Sequence, residues 1–301
     1  MADTISKTQA NTSGFIPEVW AQVGLGYLNS ELYLGRNVAR DTDFATAQKG
    51  SKITIGKRGT LVANAKAENT AITLQNPTAS PVEVSLDQHF EVSFLVEDIV
   101  KAQSDAKIME GYMEDGMGVL AEKVEKALAA KHASFANASG ADVIAQLLDA
   151  RAKLSTARAP SSNRFAYVTP AFLNAVITNK EFVKTADYGD KSIVQDGEFG
   201  KLFGFRIFES VNPATTGTSP VVTHNLAMHK NALVLATRSM PVMPTSEQAR
   251  LGVDQTAVEA NGVIIRVTHS YDTDYLGHKI TLDTLYGVEY LRPTFGVDIE
   301  V

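Results

Sequence analysis

The sequence predicts an α+β protein, and three observations lead to that prediction. Apolar and polar residues alternate near residue 53 and again near the C-terminus, which is typical of half-buried strands. Between these stretches an apolar stripe recurs every three or four residues over a long segment, which indicates a helix facing a core. Hydrophobic residues make up 44% and charged residues 21% of the 301 residues, so the chain can bury a core.

The first 40 residues predict an arm followed by a short helix. Residues 1–14 are polar and lack both the basic start and the apolar middle of a signal peptide, so we expect a flexible arm. Pro17 fits the first turn of a helix, and the apolar residues from Val19 to Leu32 mostly follow helical spacing. This helix is expected to end near Gly35.

Residues 53–86 predict a long, two-armed β excursion. Ile53 and Ile55 alternate with small or polar residues in the outgoing arm, and Val82 and Val84 do so in the returning arm. The excursion has too few apolar residues to form its own core, and an isolated hairpin is only marginally stable in water. We therefore expect it to lean on another surface.

A strand around Phe90–Phe94 leads into the longest predicted helix, from Glu97 to Ser134. These 38 residues would span roughly 57 Å, which exceeds the diameter of about 50 Å of a compact chain of this length. The methionines of the stripe predict core packing rather than a ligand site, and the three glycines of the segment are where a bend is expected. The core-facing stripe consists of Leu95, Ile99, Ala102, Ala106, Met109, Met113, Met117, Leu120, Val124 and Leu128.

The second half of the chain predicts a mixture of helices and strands after a break of small residues at 137–140. The stretches 213–220 and 241–254 are expected to be irregular, because they are polar or rich in proline. The predicted helices are 141–157 and 170–179, and the predicted strands are 165–168, 205–208, 232–236, 263–267, 280–285 and 288–291.

Composition excludes several classes of function. The 28 basic and 34 acidic residues give a net charge of −6, the wrong sign for a protein that binds nucleic acid tightly through phosphates. The absence of cysteine excludes disulfides, thiolate zinc sites and cysteine nucleophiles. No apolar run approaches the length of about 18 residues that a membrane-spanning helix needs, so no membrane partner is expected.

The search for catalytic residues predicts no catalytic, cofactor-binding or metal-binding site. The best metal candidate is Asp272, Asp274 and His278, whose spacing could gather ligands at a turn, but a solvated hairpin turn explains it better. Gly24 and Gly26 lack the third glycine of a dinucleotide fingerprint, and 189–192 lacks the first glycine of a phosphate loop. The six histidines are scattered and show no helical zinc pattern.

A polar arm, a β excursion too thin to fold alone and an over-long helix indicate that neighbouring subunits supply the missing burial. The order of these features resembles the major capsid (coat) proteins of tailed bacteriophages, which have the Hong Kong 97-like fold. The stretches that carry the resemblance are 15–20, 53–86, 86–90, 225–233 and 285–293.

The resemblance implies a division of the chain into four parts. Residues 1–40 would be the N-terminal arm and 41–94 the extended loop. Residues 95–139 together with 257–301 would form the peripheral domain around the long helix, and 140–256 the axial domain between them. Axial domains would meet at the centre of pentamers and hexamers, while the extended loop would lie over the adjacent subunit.

The resemblance also implies the partners of the chain. Copies of the chain would form the icosahedral head of a virion, made in the cytoplasm of a bacterial host, and would contact the packaged double-stranded DNA weakly and without specificity. The short polar lead implies a separate scaffolding protein or none; a portal and a decoration protein are further partners of this class. Some members cross-link lysine to asparagine, but Lys57, Lys66, Asn64 and Asn69 match no such site.

Two alternatives remain open at the level of sequence. A nanocompartment shell of the same fold would enclose an enzyme instead of a genome. A metal-assisted hydrolase would use Asp272, Asp274 and His278, whereas a coat protein would have no catalytic residue and no cofactor.

Overall fold

The structure of the chain is a computed structural model that describes residues 32–40, 52–57, 61–76, 80–98, 107–178, 201–260 and 262–301. It confirms the α+β prediction. The predicted arm, most of the first helix and the glycine-containing stretches at 24–26 and 189–192 lie outside the described residues. The described helices are α1 (Tyr33–Asn37), α2 (Lys107–Ala129), α3 (Val143–Thr156), α4 (Pro170–Thr178) and α5 (Thr245–Leu251), with 3₁₀ helices at Ala130–Ser134 and Pro293–Phe295.

The strands form two six-stranded sheets and one separate hairpin. The first sheet has the order β1-β10-β13-β12-β11, with β4 also paired to β13; the second has the order β5-β14-β9-β6-β7, with β8 paired to β9; the hairpin is β2-β3. The strands are β1 (Ala39–Arg40), β2 (Lys52–Lys57), β3 (Ser80–Ser85), β4 (Gln88–Glu97), β5 (Ala136–Asn137), β6 (Arg164–Val168), β7 (Arg206–Glu209), β8 (Ala214–Thr216), β9 (Val222–His229), β10 (Leu233–Arg238), β11 (Val253–Ala260), β12 (Val263–Asp272), β13 (Gly277–Tyr290) and β14 (Gly296–Glu300).

Strand β13 organises the first sheet because its 14 residues pair with three other strands. The two predicted strands 280–285 and 288–291 are therefore parts of one strand, and Gly287 does not interrupt it. A Cβ atom at Gly287 would lie 2.1 Å from the carbonyl oxygen of Ser85. Glycine at this position lets the end of β3 approach the backbone of β13 directly.

Helix α2 confirms the predicted core-facing stripe from Met113 to Leu128. Of the earlier stripe residues, Leu95 lies on β4 and the others lie outside the side chains that the structure describes. Met113, Met117 and Leu120 are buried, and the stripe continues through Val124 and Leu128. A Cβ atom at the buried Gly116 would lie 2.7 Å from the Leu282 side chain, so the helix approaches β13 closely at this glycine. Of the described helices, none is both long and apolar enough to span a bilayer.

The predicted end of this helix is wrong, and residues 99–106 near its predicted start lie outside the described residues. Leu95 and Glu97 belong to β4, where Glu97 pairs with Gly277, because the backbone of this segment completes the ladder with β13. Residues Ala130–Ser134 form a 3₁₀ helix instead of a last α-helical turn. The 23 residues of α2 span about 35 Å.

The stretches predicted as irregular contain regular elements. Strand β8 lies within 213–220, and α5 lies within 241–254. The two-residue strands β1 and β5 and the longer strands β9, β11 and β14 were not predicted either. Strand β9 is buried along most of its length between β14 and β6, and a strand that is buried on both faces shows no polar alternation.

A buried carboxylate ties α1 to α2. Glu125 is 1% exposed, and its two carboxylate oxygens accept hydrogen bonds from the backbone N–H groups of Leu34 (2.9 Å) and Gly35 (2.8 Å). These N–H groups belong to the first turn of α1, which has no acceptor within its own helix for them. A residue of the long helix thus completes the hydrogen bonding of the short one.

The buried imidazole of His229, at the end of β9, predicts a loss of stability in mild acid. Burial, reinforced by the positive charges of Arg164 and Arg292, lowers the pKa of His229 below its usual 6.5, and its Nδ1 accepts the Asn231 N–H (3.2 Å). The unfolded chain therefore binds the proton more readily, so the stability contributed by neutral His229 is complete above about pH 6.5 and is lost as the pH falls below it.

The measurement is thermal unfolding at about pH 7.5 and about pH 5.5 for the wild type and His229→Gln. We expect the melting temperature of the variant to fall less between the two pH values than that of the wild type. An equal fall in both proteins would show that His229 does not cause the acid sensitivity.

Candidate functional sites: an exposed loop and a buried histidine cluster

The β2-β3 hairpin is anchored at its base on the first sheet. Ile53 and Val84 are buried in a small cluster with Val234 and Ala236 of β10. The excursion was predicted to need another surface for support. At its base this support is present, but it comes from the same chain and not from a neighbour.

The described part of the loop between these strands, 61–76, is not covered by that support. Every described residue of 61–76 is exposed. The Gln75 side chain holds the two arms together: its Oε1 accepts the Val62 N–H (2.9 Å), and its Nε2 donates to the Val62 carbonyl. At the far end, Asn69 turns the chain with a positive φ of 56°, a conformation that asparagine tolerates better than most residues.

The loop exposes four large apolar side chains, two on each arm. Leu61 and Val62 lie on the outgoing arm, and Ile72 and Leu74 lie on the returning arm; Leu74 is 85% exposed. Single exposed apolar residues are common on protein surfaces, but four of them on two arms that Gln75 joins exceed this ordinary scatter and are typical of an interaction site. The paired arms therefore present an apolar surface that the described part of the chain leaves uncovered.

The candidate metal residues Asp272, Asp274 and His278 do not come together. Asp272 Oδ1 accepts the Asp274 N–H (3.0 Å), which is a turn-stabilising bond between β12 and β13. His278 faces elsewhere: its Nδ1 lies 3.1 Å from His269 Nε2, and its Nε2 lies 3.6 Å from Asp98 Oδ1. This segment is therefore a hairpin turn, which is the explanation that the sequence favoured over a metal site.

The same turn lies beside an exposed aromatic patch. A recess of about 290 Å³ is lined by the apolar side chains of Phe94 and Leu95, by Tyr275 and by the polar residues Ser93, Asp272 and Lys279. Tyr275 is largely exposed, as is its neighbour Leu276. This end of the first sheet is thus a second surface with uncovered apolar groups.

A buried cluster of two histidines and one aspartate was missed by the sequence analysis. Asp298 Oδ2 lies 2.6 Å from His224 Nδ1 and 3.4 Å from His132 Nδ1. The two imidazole rings stack with centroids 3.6 Å apart, and His224 Nε2 lies 2.7 Å from Thr216 Oγ1. In the described part of the chain, this is the one group of three potential ligands whose donor atoms all lie within 4.8 Å of one another.

Burial leaves the charge of Asp298 incompletely balanced. The side chain is 2% exposed, and its Oδ1 has no hydrogen-bond partner. Burial raises the pKa of Asp298, while the hydrogen bond and positive charge of His224 oppose that rise. The three residues lie on the 3₁₀ helix after α2, on β9 and on β14. They are at least 74 residues apart in sequence, so a search for short motifs could not find the cluster.

Comparison with known proteins shows similarity in structure only. The sequence matches no family model and no curated protein. A solved structure from Mycobacterium phage Che8 aligns with a TM-score of 0.64 at 20% identity, over 89% of this chain and 90% of that one. The capsid of cyanophage P-SCSP1u aligns with a TM-score of 0.62 at 13% identity, over 87% and 86%.

A third solved structure is a virus-like particle from Pyrococcus furiosus, with a TM-score of 0.52 at 10% identity over 94% of this chain and 98% of that one. The chain therefore has the capsid fold of the tailed bacteriophages, the Hong Kong 97-like fold that the resemblance predicted.

Proposed function

We propose that the chain is a major capsid protein, a structural protein without catalytic activity. Copies of it assemble as pentamers and hexamers into an icosahedral head that encloses a phage genome. The observation that carries this proposal is the apolar loop surface of Leu61, Val62, Ile72 and Leu74, which is braced by Gln75 and is exposed on a capsid fold.

The energetics of the loop favour contact with another subunit. Burying one leucine side chain contributes about 1.5–3 kcal/mol, so covering both Leu61 and Leu74 favours association by several kcal/mol. The Gln75 bonds hold the arms together before contact, which reduces the entropy lost on binding. In the proposed shell, a neighbouring subunit covers this loop, and apolar groups such as those beside Tyr275 are suitable contacts.

The proposed domain division follows the resemblance. Residues 1–40 are the arm, 41–94 the extended loop, 95–139 with 257–301 the peripheral domain, and 140–256 the axial domain. Strand pairing crosses these boundaries, since β10 pairs with β13 and β14 pairs with β9. The two domains would therefore be linked by shared sheets as well as by the chain.

Further partners are proposed from the same role. Double-stranded DNA would be enclosed but held weakly, because the net charge of −6 gives the chain no general affinity for phosphates. A portal and a separate scaffolding protein, and in addition a decoration protein, are the other proposed partners. The protein would be made in the cytoplasm of a bacterial host and end in the virion.

A nanocompartment shell is the second candidate function. The structural similarity to the virus-like particle from Pyrococcus furiosus favours it, although with a lower TM-score than the phage structures. The contents of purified particles separate the two candidates: nuclease-protected DNA supports the phage capsid, and an enclosed protein supports the nanocompartment.

Leu74→Asp is expected to abolish shell assembly while leaving the subunit folded. The side chain is 85% exposed in the chain, so the substitution buries no charge until a neighbour covers the loop. Sedimentation velocity and negative-stain microscopy measure assembly, and circular dichroism measures the melting temperature. Deletion of 57–78 is expected to have the same effect.

Asn69→Asp is the matched control, because it adds the same charge at the turn of the same loop. Asn69 has a positive φ that aspartate also adopts, so this variant should form shells like the wild type. Normal shells from Leu74→Asp would contradict the role of the loop. A wild-type chain that stays monomeric under every assembly condition would contradict the capsid function itself.

A further inference from the structure

We propose that His132, His224 and Asp298 bind one divalent metal ion of the zinc class. The site would join the 3₁₀ helix after α2 to strands β9 and β14 of the second sheet. The proposal does not depend on the capsid function, because it concerns contacts within a single chain.

The donor set suits such an ion. Two imidazole nitrogens and one carboxylate oxygen are ligands that Zn²⁺ takes readily, and they leave a fourth position for water. The three donor atoms already lie within 4.8 Å of one another, so the folded chain places them close enough for side-chain rotation to bring them around one ion. All three residues are largely or fully buried, which protects the site from competing solvent.

Two further observations indicate a cation at this cluster. Asp298 Oδ1 is buried without a partner, so hydrogen bonds do not fully balance the carboxylate charge, and a cation at this carboxylate would balance it. His224 Nε2 lies 2.7 Å from Thr216 Oγ1. A histidine that ligates a metal through Nδ1 donates its Nε2–H to a polar group in this way, which orients the ring and fixes the tautomer.

Metal binding would change the present arrangement in two defined ways. The ion would replace the proton of the 2.6 Å contact between His224 Nδ1 and Asp298 Oδ2. The two rings, now stacked with an angle of 22° between their planes, would have to rotate apart so that both Nδ1 lone pairs point at the ion. Because protons compete for the same nitrogen atoms, affinity should fall in acid.

The test is titration of the full-length, chelator-treated chain with zinc chloride by calorimetry. Absorption after addition of cobalt(II) reports the coordination. We expect one ion per chain, a higher melting temperature with zinc, and the visible absorption of four-coordinate cobalt. Thr216→Val should weaken zinc binding by about tenfold, because it removes only the orienting hydroxyl.

His132→Phe should abolish binding while retaining an aromatic ring for the stack. His89→Phe is the matched control: it removes a histidine that also contacts an aspartate, Asp283, at 3.2 Å, but on β4 of the other sheet. It should bind zinc like the wild type. The site is refuted if the wild type binds no zinc, or if Thr216→Val and His132→Phe bind it as tightly as His89→Phe does.

Discussion

Glu125→Ala is expected to lower the free energy of unfolding by about 3–5 kcal/mol. The substitution leaves the Leu34 and Gly35 N–H groups buried without acceptors, because both now donate to the Glu125 carboxylate. It also leaves a cavity between α1 and α2, since the side chain is 1% exposed. Chemical denaturation monitored by circular dichroism measures the change.

Glu122→Ala provides the control for this prediction. Glu122 lies three residues earlier on the same helix, has a half-exposed side chain, and forms an ion pair with Lys126. An exposed pair of this kind contributes between zero and about 1 kcal/mol, so this variant should unfold nearly like the wild type. Equal destabilisation by both substitutions would mean that the bonds to α1 do not stabilise the fold.

Met113→Asp is expected to prevent folding. Met113 is fully buried in the main core, so the substitution places a carboxylate among apolar side chains. An unpaired buried charge costs several kcal/mol and the lost methionine packing adds more, which together approach the total stability of about 5–15 kcal/mol of a typical domain. The expected result is loss of a cooperative thermal transition.

Val119→Asp makes the same change on the opposite face of α2. Val119 is 45% exposed, so its replacement by aspartate should leave a cooperative transition close to that of the wild type. If Met113→Asp melts like Val119→Asp, the methionine stripe is not the core of the fold.

These two positions also show how far sequence reasoning reaches. The burial of Met113 followed from its place in a stripe with helical spacing, and the structure confirms it. The role of Glu125 could not be predicted, because its partners lie 90 and 91 residues away. A glutamate on a helix is ordinarily solvated, so the burial of Glu125 against α1 emerges only from the tertiary contacts.

The candidate sites also differ in how much of each the sequence predicted. The thin apolar content of 53–86 predicted a segment that needs support, whereas the support of its base by β10 emerged only from the tertiary contacts. Asp272, Asp274 and His278 were chosen because they are close in sequence, yet the side chains face different partners. The histidine cluster has no short spacing, so only the folded chain brings it together.

Periodicity along the chain determined the α+β class, the long helix and its buried face, because side-chain direction repeats every two residues in a strand and about every 3.6 in a helix. The extension of β4 to Glu97, the continuity of β13 and the strands β9, β11 and β14 depended on pairing between distant segments. Such pairing is set by hydrogen bonds and packing across the sheets, which leave no repeat in the local sequence.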